Sequence, residues 1–172
     1  MRALYMKKES IDQETELLRG QNFDSTLHHF YESPFGNADD LQVWCYTSAL
    51  SYLTDTVVDF HFSTTAQIVS LEVFRGDKSG EPIYQAKVEG SFYSTPQSFY
   101  KKGCEWPVAH SWQIPVLQRS GFYLAVCTVE DSEGKTCQHE AGFFIRPKVA
   151  EPTASILLVA ATSTWIAYND WG

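Results

Sequence analysis

The sequence predicts an all-β fold, an immunoglobulin-like antiparallel β-sandwich, and three observations carry that expectation. Short β-type runs recur from Leu41 to Pro147, separated by clusters of Gly, Pro, Asp and Ser. One of them, Val57 to Ser63, alternates cleanly, with Val58, Phe60 and Phe62 set against Asp59, His61 and Ser63, so one face is apolar and the other wet. Seven or so strands in about 107 residues is the size of such a sandwich. A short N-terminal helix and a C-terminal strand belonging to a truncated α/β domain complete the fold class. The chain accordingly divides into 1–40, 41–147 and 148–172.

Within 1–40, Ser10 followed by Gln13 is a capping-box pattern, Leu17 and Leu18 form a small apolar face, and Gly20 supplies the stop. About two helical turns are marginal alone, so this helix must dock. His28, His29 and Tyr31 follow in polar loop. The sandwich begins with Gln42 to Thr47. Ile68 to Arg75 and Glu81 to Val88 form a hairpin around the turn Gly76-Asp77-Lys78-Ser79-Gly80. The segment Ser91 to Pro107, with Phe92, Tyr93, Phe99, Tyr100 and Trp106, is longer than a usual connection, and such loops are functional or packed by their own side chains. Packing is the favoured role, because large aromatics bury area first.

The last strands are Ser111 to Val116, Gly121 to Val129 and Gln138 to Arg146, with a turn at Glu130 to Lys135. Tyr123, at the head of its strand, suggests a tyrosine corner, in which the hydroxyl ties back to upstream backbone. The inter-sheet disulfide of antibody domains is missing, since Val57 to Ser63 contains no Cys. From Lys148 to Thr153 the chain has a linker character, with Pro152 blocking helix and strand alike. Ser155 to Ala161 is then continuously apolar, as in a parallel strand covered on both faces. A lone parallel strand needs neighbours, so a fragment of a larger α/β domain is the favoured reading.

Composition excludes several roles. The formal net charge of −8 lacks the positive field that phosphate backbones require, which argues against nucleic acid. No apolar run approaches the roughly 20 residues that span a bilayer, and Met1 to Leu18 turns charged by Lys7, unlike a secretory leader. A cytoplasmic location without membrane contact is the expectation, and Cys45, Cys104, Cys127 and Cys137 are then reduced, half-buried side chains.

Three constellations could carry chemistry. His61, Cys104, His110, Cys137 and His139 are metal-type ligands, but their spacing fits no known site. His110 and Ser111 could be drawn into a triad, yet no G-x-S-x-G elbow presents Ser111 as a nucleophile. The tail from Thr162 to Gly172 lies where open α/β sheets place ligands, beyond the carboxyl end of a strand. Thr162, Tyr168 and Asn169 are therefore site candidates.

Ile156-Leu157-Leu158-Val159 followed by Thr162 to Gly172 (TSTWIAYNDWG) resembles the strand-and-loop motif of the N,N-dimethylformamidase large-subunit family. Val57 to Thr64, Glu72 to Arg75, Trp106 to Pro115, Ser120 to Tyr123 and Phe143 to Pro147 also match it in order, so the resemblance covers about residues 41–172. It implies a sandwich leading into a glutamine-amidotransferase-like α/β domain. In the complete protein that domain would hold iron on two tyrosines and a glutamate, and would hydrolyse a formamide to formate and an amine. The resemblance makes Tyr168 the candidate iron ligand, with Thr162 and Asn169 as candidate substrate contacts. The other ligands have no counterpart up to Gly172, so no catalytic residue and no bound iron are expected in this chain alone. The expected partner is the remainder of the large subunit or a companion catalytic chain, with a homo-oligomer left open. The alternative is a non-enzymatic binding module whose aromatic loop takes a carbohydrate or a protein surface.

Overall fold

A computed structural model describes residues 34, 38–96, 99–148 and 159–164. Every described residue falls in one compact unit, Ser33–Gly172. Eight strands and one short helix are defined, in the order β1 (Val43–Thr47), β2 (Ser51–Leu53), β3 (Val57–Thr64), β4 (Ile68–Arg75), β5 (Tyr84–Glu89), α1 (Phe99–Lys102), β6 (Val108–Gln113), β7 (Gly121–Glu130) and β8 (Thr136–Arg146). They form two sheets, β1-β3-β6 and β2-β8-β7-β4-β5. The predicted sandwich is the observed architecture.

Alternation explains the core. Val58, Phe60 and Phe62 of β3 face Val69, Leu71 and Val73 of β4, Tyr123, Ala125 and Cys127 of β7, and Phe143 and Ile145 of β8, in one buried cluster between the sheets. At roughly 25 cal/mol per Å² of apolar area removed from water, this layer is the main source of stability. A second cluster, Phe74, Leu124 and Val126 with Phe122 against it, lies on the other face of the five-stranded sheet. Cys45, Cys104 and Cys127 are buried and Cys137 is half-buried, all as free thiols.

Boundaries differ from the sequence prediction where backbone pairing decides them. β4 matches its predicted span, whereas β6 runs three residues earlier than Ser111 to Val116. Its pairing with β3 ends as the Ile114 N–H donates to the Thr56 carbonyl at 2.9 Å, and Pro115 has no N–H to continue a ladder. β2 was invisible to pattern. It is three residues long and pairs in parallel with the end of β8, Ser51 opposite Phe144 and Leu53 opposite Arg146. The chain thus crosses from one sheet to the other between β1 and β2.

The tyrosine corner is present. Tyr123 is fully buried, its hydroxyl donates to the Arg119 carbonyl, and Gln118 Nε2 donates to that hydroxyl at 2.8 Å. The predicted N-terminal helix, Ser10 to Gly20, lies outside the described residues. Of the predicted tail strand, only 159–161 are described; they form no ladder, and Val159 is 82% exposed. A helical turn follows at 162–164.

Candidate functional site

Each predicted constellation has a definite fate. Tyr168 and Asn169 lie outside the described residues. Thr162 is half-buried and opens the helical turn, in which the Thr164 N–H donates to the Ala161 carbonyl at 3.0 Å. The five metal-type residues do not converge, and no group of His, Cys, Asp or Glu among the described residues could hold a metal ion. They are spread over different elements, His61 on β3, His110 on β6, Cys137 and His139 on β8, and Cys104 in the segment before β6. His139 turns inward, where its Nδ1 accepts the Cys45 N–H at 3.3 Å and lies 3.4 Å from the Cys45 sulfur. Cys104 is buried elsewhere, with Trp44 and Trp106, where burial pushes its thiol up to about 12. That thiol is protonated and inert at neutral pH.

Strand alternation dissolves the drawn triad. His110 Nε2 lies 2.6 Å from the Tyr84 hydroxyl, while Ser111 Oγ donates to Asp59 Oδ1 at 2.6 Å. His110 and Ser111 occupy successive positions on β6 and so face opposite sides of the sheet. His110 therefore does not reach the serine, whose hydroxyl is held by the Asp59 carboxylate instead.

The long aromatic segment is a cover for the three-stranded sheet. Trp44 and Tyr46 project from the outer face of β1 and pack with Cys104, Trp106, Tyr93 and Phe99. Ser63 pins the start of the cover: its hydroxyl donates to the Tyr93 carbonyl at 2.8 Å and accepts the Tyr93 N–H at 3.0 Å. At the far end, Tyr46 and His61 stack with ring centroids 4.6 Å apart and hold both backbone groups of Trp106. The Trp106 N–H donates to the Tyr46 hydroxyl at 3.1 Å, and His61 Nδ1 donates to the Trp106 carbonyl at 2.7 Å. A carbonyl only accepts, so the His61 proton sits on Nδ1, and in the neutral ring the Ser48 hydroxyl donates to Nε2 at 2.8 Å. The expectation that His61 and Ser63 lie on a wet face is corrected in part: the cover buries Ser63 and leaves His61 half-buried. Trp106 is 4% exposed, and Tyr93 and Phe99 are half-buried, so the described side chains present no exposed aromatic platform.

The other notable geometry is at the end where the chain leaves β8. Backbone bonds from Phe144 N–H to the Leu50 carbonyl (2.8 Å) and from Thr54 N–H to the Arg146 carbonyl (3.1 Å) splint the last residues of β8 to β2. Arg146 Nε donates to Ser51 Oγ at 2.6 Å, and Lys148 Nζ meets Asp55 Oδ2 at 2.9 Å. The end of β8 is therefore held by three contacts, and a fourth comes from Lys148, the first residue of the linker.

That exit leads into the stretch that comparison with known proteins singles out. The family model described as N,N-dimethylformamidase beta subunit-like, C-terminal, matches residues 72–172, from within β4 to the end of the tail. The chain belongs to this family. The dimethylformamidase-like match takes in most of β4, all of β5 to β8 and the tail, while β1 to β3 precede it. Among curated proteins none matches the sequence. Among solved structures the chain is similar to CopC from Methylosinus trichosporium OB3b, at 12% identity and a TM-score of 0.36, over 63% of this chain and 100% of that one. A likeness of that size carries no functional argument. No helix among the described residues is long and apolar enough to cross a membrane.

Proposed function

We propose that the chain is the sandwich and the opening of the α/β portion of a dimethylformamidase-like amidohydrolase, which in its complete form hydrolyses formamides to formate and an amine. The observation that supports this reading is the family match across both β4–β8 and the tail. The sandwich acts as a rigid base: the β2 splint fixes where β8 ends, and so fixes the start of the segment that carries Thr162, Tyr168 and Asn169. Iron, when bound by the complete protein, would act as a Lewis acid that lowers the pKa of its water. Among the described residues no three His, Cys, Asp or Glu side chains group to hold a metal ion, and the reading places the iron in the α/β portion. It assigns Tyr168 as a ligand, and Thr162 and Asn169 as substrate contacts, in an α/β portion completed by the remainder of the subunit or a companion chain in the cytoplasm.

The test is iron content by mass spectrometry together with formate release from N,N-dimethylformamide by the purified chain. Neither stoichiometric iron nor formate is expected, because a single tyrosinate does not make an iron site. Iron at one equivalent with formate release would overturn the proposal that this chain alone is inactive. In the complete, iron-loaded protein, Tyr168→Phe is expected to weaken and shift the phenolate-to-iron absorption, since one of two tyrosinates is lost, and an unchanged spectrum would remove Tyr168 from the ligand set.

A further inference from the structure

We propose that β6 is the interface through which two copies of this chain associate, by antiparallel pairing of β6 with its own counterpart about a two-fold axis. Among the described residues the sandwich has four edge strands, and three are blunted. β2 is only three residues long; β5 carries Lys87 and Glu89; and the free-side N–H of Cys45 on β1 is taken by His139. Shortness, charge and occupied backbone groups are the usual protections against edge pairing.

β6 lacks them over most of its length. The aromatic segment that follows β5 covers the face of the three-stranded sheet and adds no strand beside β6. The Ile114–Thr56 bond sets the phase of the β3–β6 ladder, so the backbone N–H and C=O groups of Ser111 and Gln113 point away from β3. Both residues are exposed. A register shift leaves Ala109 as an extra residue, which twists only the first part of the strand. No Asp, Glu, Lys or Arg occurs from Val108 to Gln118, in a chain whose net charge of −8 otherwise makes copies repel.

Self-complementarity selects a second copy as the occupant. Among the described residues, four of the seven large hydrophobic residues that remain exposed flank β6: Val108 (51%) at its start, Val116 (65%) and Leu117 (93%) just past its end, and Val57 (41%) opposite Gln113. An axis through Trp112 pairs Ser111 with Gln113 of the second copy. It also brings the Val116-Leu117 turn of each copy to Val108 of the other. The Gln118 N–H to Pro115 carbonyl bond (3.0 Å) and the Gln118–Tyr123–Arg119 contacts hold that turn in shape before association, which lowers the ordering cost. A closed two-fold contact uses the same patch twice and cannot propagate into fibres.

Sedimentation equilibrium of the purified chain over a range of concentrations tests this. A monomer–dimer equilibrium is expected, with the weak affinity of a small interface. Leu117→Asp changes a side chain with no packing role, and Ser111→Pro removes an edge N–H that makes no bond within the copy; each is expected to weaken association by about tenfold or more. Circular dichroism checks that the variants fold, and Leu117→Asp alone suffices if the proline variant does not. Slow hydrogen exchange of the Ser111 amide only at dimer-forming concentrations is the accompanying signature. A chain that stays monomeric at all concentrations, or a dimer indifferent to Leu117→Asp, overturns the proposal.

Discussion

Two side chains hold parts of the backbone that the sheets do not reach. Tyr123 ties the β6–β7 connection to the head of β7 through one buried hydroxyl. Tyr123→Phe keeps the ring in the core and removes that bond, so unfolding in urea is expected to lose about 1 kcal/mol with the m-value unchanged. His61 bonds the cover at Trp106 and the turn at Ser48. His61→Phe preserves the stack on Tyr46 but leaves the Trp106 carbonyl without its donor, and a loss of about 1–3 kcal/mol is expected. Amide exchange in 102–106 is expected to accelerate in that variant more than exchange in β7, which separates a loosened cover from a weakened core. The Tyr123 role was legible only as a hint from its place at a strand head, which the hydroxyl contact to Arg119 bears out. The His61 role was not, because alternation gives the side of the sheet and says nothing of what later lies upon it.

At the scale of elements, hydrophobic alternation located β3, β4, β7 and β8 to within two residues at each end, since each buries one face continuously against the opposite sheet. β2 escaped because a three-residue strand has no period to measure; it exists through backbone bonds to β8. The route of the cover depends on a close approach equally hidden from pattern. A Cβ at Gly90 would lie 2.1 Å from the Ala66 carbonyl oxygen and 2.7 Å from Thr64 Cγ2, just after β5. Gly90→Ala therefore forces backbone to move where the Gly90 N–H donates to the Gln67 carbonyl at 2.8 Å. A loss of about 1–3 kcal/mol is expected by thermal or urea unfolding. Gly80, whose Cβ would meet nothing within 4 Å, is the control position. Of the candidate site, the tail motif was legible as a motif, whereas the scattered His and Cys residues could be dismissed only once their faces were known.

For the molecule as a whole, pH dependence follows from groups whose titration burial opposes. Burial holds the His110 imidazole below its ordinary 6.5, so the unfolded chain takes up that proton first. The associated stability is present above pH 6.5 and is lost as pH falls through the folded-state value. Burial raises the Cys104 thiol from 9.0 to about 12 and also raises Cys127, so here the unfolded chain releases its proton first. That contribution is complete below pH 9 and declines as pH rises toward 12. Thermal melts are expected to show a plateau between these limits, with both shoulders present; Cys104→Ala is expected to lessen the alkaline one. An unaltered alkaline shoulder in that variant would assign it to other groups.

The parallel pairing of β2 with β8 has a mechanical consequence. Parallel neighbours enter and leave at opposite ends, so tension between the segment before β2 and the segment after Lys148 slides the two strands along each other. Every bond of the patch from Leu50 to Arg146 then bears load at once, whereas an antiparallel pair pulled at one end would part bond by bond. A pull applied at Lys148 is therefore met in shear by the sandwich beneath it.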